Sequence, residues 1–220
     1  ESGIGQALSE VFADKVLSRQ DLWLTSKLWN NAHLAEDVEP ALRKTLNDLQ
    51  VDYLDLYLIH WPVAVKPGVG FPQSDDDYLS LVEAPIIETW RAMEACVDAG
   101  LVKHIGVSNF SAAKLQDLVA LCRIKPEMNQ VELHPLLQQP ELKDYCDVEN
   151  IFLTAYAPLG SGDRPAFFQN ADSPVPLELP LIKAIADQHQ ASPAQVLLAW
   201  AMQRGTAVIP KTVKPARMQE

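Results

Sequence analysis

A parallel α/β barrel is the fold this sequence predicts, and three observations carry it. Short apolar strands alternate with amphipathic helices along the whole chain, and a helix crossing back to the same end of a sheet makes neighbouring strands parallel. No G-x-G-x-x-G turn occurs, as an open doubly wound sheet would usually show after its first strand; Gly3 and Gly5 fall in a helical stretch and lack a third partner. Polar side chains close most strands: Lys27, His60, Ser108-Asn109, Glu132 to His134, Tyr156 and Lys211. A (β/α)8 barrel builds its chemistry from the carboxyl ends of its strands.

The elements follow in order. Residues 22–28, LWLTSKL, read as a strand. Leu34, Val38, Ala41, Leu42, Thr45, Leu46 and Leu49 then recur at helical spacing over 34–49. Residues 52–60 form the second strand. Ile86, Trp90, Met93 and Val97 mark a helix over 86–99. A strand at 104–108 leads into a helix at 111–122, capped by Ser111 or Asn109. Strands at 128–133 and 152–158 flank a short helix near 140–147. A helix over 178–189 precedes another opened by Ser192-Pro193, with serine as cap and proline in the first turn. AVIP at 207–210 is the sixth and last strand. Residues 61–85 and 159–177 are too long for plain connectors and read as irregular binding loops.

Hydrophobic residues make up 48% of the 220, enough for a core, and the formal net charge is −11. An acidic chain is a poor match for nucleic acid or anionic lipid. Cys96, Cys122 and Cys146 are odd in number and widely spaced, so reduced thiols in a cytoplasm are the simplest account. His33, His104, His134 and His189 show no metal spacing, and Asp75 to Asp77 read as a solvated run. No apolar run reaches the length of a membrane span.

Six segments, all at strand ends and in order, give the chain a resemblance to the aldo-keto reductase family. They are TSKLW at 25–29, LDLYLIHWP at 54–62, IGVSNF at 105–110, NQVELHP at 129–135, AYAPLG at 155–160 and VIPKTVKPAR at 208–217. The resemblance covers residues 1–220 as a single domain. It implies an NADPH-dependent barrel that reduces aldehydes or ketones by hydride transfer. Lys27 and His60 match two members of the catalytic tetrad: the lysine lowers the pKa of a tyrosine proton donor, and the histidine orients and polarises the substrate carbonyl. Trp29 and Trp61 match walls of the substrate pocket. Ser108, Asn109 and Gln130 match residues that hold the nicotinamide carboxamide, and Tyr156 matches the ring that stacks on it. Leu159, Ser161 and Asp163 match the loop over the pyrophosphate. Lys211, Thr212 and Arg217 match the grip on the adenosine 2′-phosphate, and with Lys214 they put three cations within seven residues of an acidic chain. An Arg fork suits a phosphate dianion.

Each residue also has a plainer reading. Lys27 could be a snorkelling surface lysine, and His60 or Tyr156 core. Ser108-Asn109 could be only a helix cap, Gln130 a buried barrel-layer residue, and the two tryptophans filler at the barrel mouth. It is the shared register of the six segments that favours the site. Glu1 to Gly5 fit the E-x-x-I-G end of a family segment whose tyrosine would lie three residues before Glu1, with the tetrad aspartate further upstream. The resemblance thus implies an internal portion holding about strands 3 to 8, with edge strands at 22–28 and 207–210, and predicts no turnover by these residues alone. The full-length protein is expected to be a cytoplasmic monomer acting on a small carbonyl compound. A regulatory relative like the channel-associated subunits, binding NADPH with little catalysis, is the alternative.

Overall fold

The structure, a computed structural model, describes residues 1–161 and 174–219. The chain divides into two compact units, Glu1–Met128 and Asn129–Glu220. No described helix is long and apolar enough to cross a membrane.

The first unit opens with helix α1 (Ser2–Ala13), strand β1 (Thr25–Leu28), helix α2 (Ala35–Leu49) and strand β2 (Leu54–Ile59). Two short strands follow, β3 (Ala64–Val65) and β4 (Tyr78–Leu79), then helix α3 (Ile86–Asp98), strand β5 (Val102–Ser108) and helix α4 (Ala112–Val119). β1 pairs with β2 and β2 with β5, both parallel. β2 is the central strand and is buried throughout. The helical stripe on α2 buries as its spacing predicts, through Val38, Leu42, Thr45, Leu46 and Leu49. Trp90 and Glu94 of α3 hold the turn after α4. The Trp90 indole donates to the Ile124 carbonyl at 2.9 Å, and the buried Glu94 carboxylate accepts from Arg123 N at 2.7 Å and Ile124 N at 2.8 Å.

Three expectations change here. The loop over 61–85 is not wholly irregular, because β3 and β4 pair antiparallel within it. The first strand begins at Thr25 rather than Leu22, since the Leu24 N–H donates to the Asp55 carboxylate at 2.9 Å instead of to a neighbouring carbonyl. Asp55 is 3% exposed and also binds Arg19 at 2.7 Å and Lys103 at 2.9 Å. Burial raises its pKa, but the hydrogen bonds from Leu24, Lys103 and Arg19 outweigh that and hold the carboxyl below its ordinary value. Arg19 and Lys103 both lie over the Tyr53 ring, 4.0 and 4.3 Å from its centroid. The fourth helix also stops early, at Val119, and Ser111 caps it by accepting from Lys114 N.

The second unit contains strand β6 (Met128–Glu132), whose first residue belongs to the first unit, helix α5 (Pro140–Glu149), strand β7 (Phe152–Tyr156), helices α6 (Pro180–His189) and α7 (Pro193–Gln203), strand β8 (Ala207–Val208) and helix α8 (Pro215–Gln219). The strand order is β6-β7-β8, with β7 and β8 parallel. Ser192 caps α7 as the sequence predicts, in a reciprocal box with Gln195. The last strand is shorter than 207–210: Ile209 N still reaches the Ala155 carbonyl, but Pro210 has no N–H to continue. Leu133 likewise makes one more bond, to the Tyr156 carbonyl, past the end of β6.

Gly106 is where β5 approaches its surroundings most closely. A Cβ there would lie 2.5 Å from the Met128 carbonyl oxygen and 2.8 Å from Leu58 Cδ2. Gly106→Ala is therefore expected to cost about 2–3 kcal/mol, read as a lower urea midpoint; an unchanged midpoint would contradict the packing.

Candidate active site

In the first unit the strand register brings Trp29, His60 and Ser108 into line. Leu28 pairs with Ile59, and Ile59 with Val107, so the residues that follow these positions emerge side by side at the carboxyl ends of β1, β2 and β5. His60 N donates to the Leu28 carbonyl at 3.1 Å. The Asn109 amide donates to the His60 carbonyl at 2.9 Å and to Ser108 Oγ at 3.1 Å. Asn109 adopts φ +63, a left-handed conformation that asparagine tolerates better than most residues. Sequence spacing offered it as a helix cap; its side chain instead braces the backbone of His60.

Lys27 is half-buried in β1, and desolvation lowers its pKa from the ordinary lysine value. Burial, with the positive charge of Lys27 added, pushes His60 down to about 4. The imidazole is therefore neutral at pH 7 and available as a hydrogen-bond donor rather than as a standing cation. The Trp29 indole meets the His60 ring edge-on, with centroids 5.0 Å apart at 78°. Its N–H donates to the Gly70 carbonyl at 2.8 Å, and Phe71 stands edge-on to it at 5.4 Å. Trp61 stacks at 6.4 Å from His60 and is 40% exposed. Gly70 and Phe71 were invisible as site residues from sequence, because no spacing ties a loop of this length to a particular tryptophan.

The remaining expected residues belong to the second unit. Gln130 is buried in β6, and Tyr156 is half-buried at the end of β7. Beyond β7 the chain turns through Ala157, Gly160 and Ser161, all at positive φ. Pro176 fills the space a side chain at Gly160 would need: a Cβ there would lie 2.3 Å from its Cδ. This turn forms one wall of a cavity of about 430 Å³, lined among others by Leu159, Ser161, Lys211, Thr212, Lys214 and Arg217. Five of these six were expected at a cofactor. The sixth, Lys214, stood out in the sequence only as a third cation. Asp163 lies outside the described residues. No group of three or more possible metal ligands occurs among the described residues.

Comparison with known proteins identifies the family and the fold. The family model described as the aldo/keto reductase family matches residues 1–220. An aldo/keto reductase of Synechocystis is 56% identical over 220 residues, covering 100% of this chain and 67% of that protein. Rat aldo-keto reductase family 1 member A1 is 48% identical, covering 99% of this chain and 67% of its own length. The structure of an aldose reductase from Schistosoma japonicum superposes with a TM-score of 0.88 at 39% identity, over 99% of this chain and 68% of that one. The chain belongs to the aldo/keto reductase family, oxidoreductases of aldehydes and ketones. The structural match also bears out the fold class, an α/β fold of the (β/α)8-barrel type.

One buried group beside this site carries a pH dependence of its own. His33 is 3% exposed, follows Trp29 by four residues, and has its backbone carbonyl held by Thr89 Oγ1 at 2.6 Å. Burial pushes its imidazole from 6.5 down to about 4. Between those values the unfolded chain binds a proton that the folded chain refuses, so stability present above pH 6.5 is lost as the pH falls towards 4. This group should account for roughly 2–3 kcal/mol across that window. Urea unfolding at the two ends of the window is expected to show the loss, and His33→Gln to flatten it; an equally steep fall in the variant would rule His33 out.

Proposed function

We propose that these residues supply the cofactor cleft and part of the acid–base machinery of an NADPH-dependent reductase that converts aldehydes or ketones to alcohols. The observation that carries this reading is the placement of Lys27 and His60 at adjacent strand ends, close enough for the charge on one to depress the pKa of the other.

The cavity supports a nucleotide as the cofactor. Its cationic lining residues, Lys211, Lys214 and Arg217, face a space of about 430 Å³, the size range of small-ligand sites. Lys211, Thr212 and Arg217 would hold a 2′-phosphate, and Leu159 and Ser161, together with Asp163, the pyrophosphate. Ser108, Asn109 and Gln130 would bind the carboxamide and Tyr156 would stack on the ring. When bound, the dihydronicotinamide supplies the hydride.

The chain's own side chains deal with the oxygen. Neutral His60 donates a hydrogen bond to the substrate carbonyl, drawing electron density toward oxygen and stabilising negative charge that grows there as the alcohol forms. Lys27 acts through a phenol, the tyrosine proton donor that the family resemblance implies. An ammonium beside a phenol favours phenolate, which makes the phenol a stronger proton donor to that oxygen. Burial of Lys27 strengthens this coupling, because a partly desolvated charge is less screened than one in water. Trp29, Trp61 and the neighbouring Phe71 offer apolar walls suited to an aromatic or aliphatic aldehyde. Cytoplasmic residence agrees with three free thiols, of which Cys96 and Cys146 are buried and pushed up to about 11 and about 12.

The test uses the full-length protein and follows NADPH absorbance with an aromatic aldehyde. Lys27→Met should lower kcat by about a hundredfold or more while leaving NADPH binding, read by fluorescence titration, within about twofold, since an interaction made only in the transition state leaves binding intact. With His60 titrating near 4, the wild-type profile should show no imidazole limb around pH 6.5. Folded wild-type protein that turns over no member of an aldehyde and ketone panel would end the reading.

A further inference from the structure

Thr89 is fully buried near the start of α3. A threonine hydroxyl in a helix commonly turns back onto a carbonyl of its own helix, three or four residues earlier. Here the Pro85 carbonyl, four residues back, already accepts from Glu88 N at 2.9 Å and from Thr89 N at 3.3 Å. The Thr89 hydroxyl donates instead to the His33 carbonyl at 2.6 Å, across 56 residues of sequence.

His33 closes the turn that opens at Trp29. Asn30–Ala32 form one turn of 3-10 helix, with Trp29 at its N-cap and His33 at its C-cap. The Ala32 N–H donates to the Trp29 carbonyl at 3.1 Å. Such a turn stacks residues three apart over one another. Asn30 and His33 are so related, and both are buried, at 9% and 3% exposed. One face of the turn is therefore packed. Trp29 itself is half-buried, and its ring meets His60 edge-on at 5.0 Å. The Gly70 carbonyl holds the indole nitrogen, whereas the backbone from which the indole springs belongs to the turn that Thr89 ties to α3. Without the hydroxyl, the buried His33 carbonyl would lose its donor, and a buried carbonyl left unpaired is costly enough to shift the segment that carries it. A packed turn of this length passes such a shift to its first residue.

We propose that Thr89 is a positioning residue for carbonyl reduction: through the His33 carbonyl it fixes the turn that sets Trp29 against His60. This rests on the reading of Lys27 and His60 as reductase machinery. Thr89 touches neither substrate nor cofactor in this scheme. Its effect is felt by substrates that lie against the indole, and little by a short aliphatic chain that offers the ring less surface.

Steady-state kinetics of the full-length protein with benzaldehyde and with propanal test the proposal. Thr89→Val keeps the branched shape and removes the donor. It should lower kcat/KM for benzaldehyde by about tenfold and for propanal by less than about threefold, since small displacements from a remote residue are felt where orientation matters. NADPH affinity, read by fluorescence titration, should stay within about twofold. Thr89→Ser keeps the hydroxyl and should hold benzaldehyde kinetics within about twofold of wild type. If the valine variant does not fold, Thr89→Cys, with a small side chain and a weak donor, takes its place and should show the same discrimination against benzaldehyde. Unchanged benzaldehyde kinetics in a folded valine or cysteine variant would overturn the proposal, because Thr89 would then serve stability alone. Equal losses on both aldehydes, or a serine variant as impaired as the valine one, would overturn it too. Wild-type protein that reduces neither aldehyde would overturn the reductase reading itself.

Discussion

The buried carboxylate of Asp55 is the constraint on which the first unit depends. It sits at the amino-terminal end of β2 and accepts from Leu24 just before β1, from Arg19 on the preceding turn and from Lys103 at the start of β5. Three parallel strands are thus fastened to one side chain at the end remote from the candidate site. A buried carboxylate that lost these donors would be costly, so the arrangement is held together as a unit. Because parallel strands share one rise per residue, fixing their starts also fixes which residues emerge together at their ends. That is how Lys27, His60 and Asn109 come to be neighbours although they are far apart in sequence.

At those ends the same logic runs through desolvation. Lys27 and His60 are both partly withdrawn from water, and both are pushed toward their neutral forms. For the histidine this is useful in itself, since a neutral ring can donate one hydrogen bond and leave the positive charge to the lysine. For the lysine, burial raises the strength of any coupling to a neighbouring acid. The imidazole is further positioned through its own carbonyl, by the Asn109 amide, and through its ring, by Trp29. The orientation of this imidazole is set as much by groups that touch its backbone as by groups that touch the ring.

The sequence was most legible where periodicity or a family segment spoke. The α2 stripe, the capping box at Ser192 and the order of the six major strands all follow from local patterns of side chains. It was least legible where a side chain replaces a backbone partner. Nothing local to Leu22 says that the Leu24 N–H will be taken by Asp55 thirty-one residues later, so the start of β1 was misplaced. The β3–β4 pair escaped because each strand has only two residues, too few for any alternation to show. Of the site, Lys27, His60 and the cavity residues could be named from their segments. Asn109 bracing His60 and Trp29 binding Gly70 could not, because both are contacts to carbonyl groups, which every residue has.

The bond from Trp29 to Gly70 means that one indole serves two masters. Its ring stands edge-on to His60, while its nitrogen is held by the Gly70 carbonyl in the loop between β3 and β4. An insertion or deletion in that loop during divergence shifts the mooring, and the shift is delivered directly to the ring beside the imidazole. A change in the length of this loop therefore reaches the histidine as well, through the ring that stands against it.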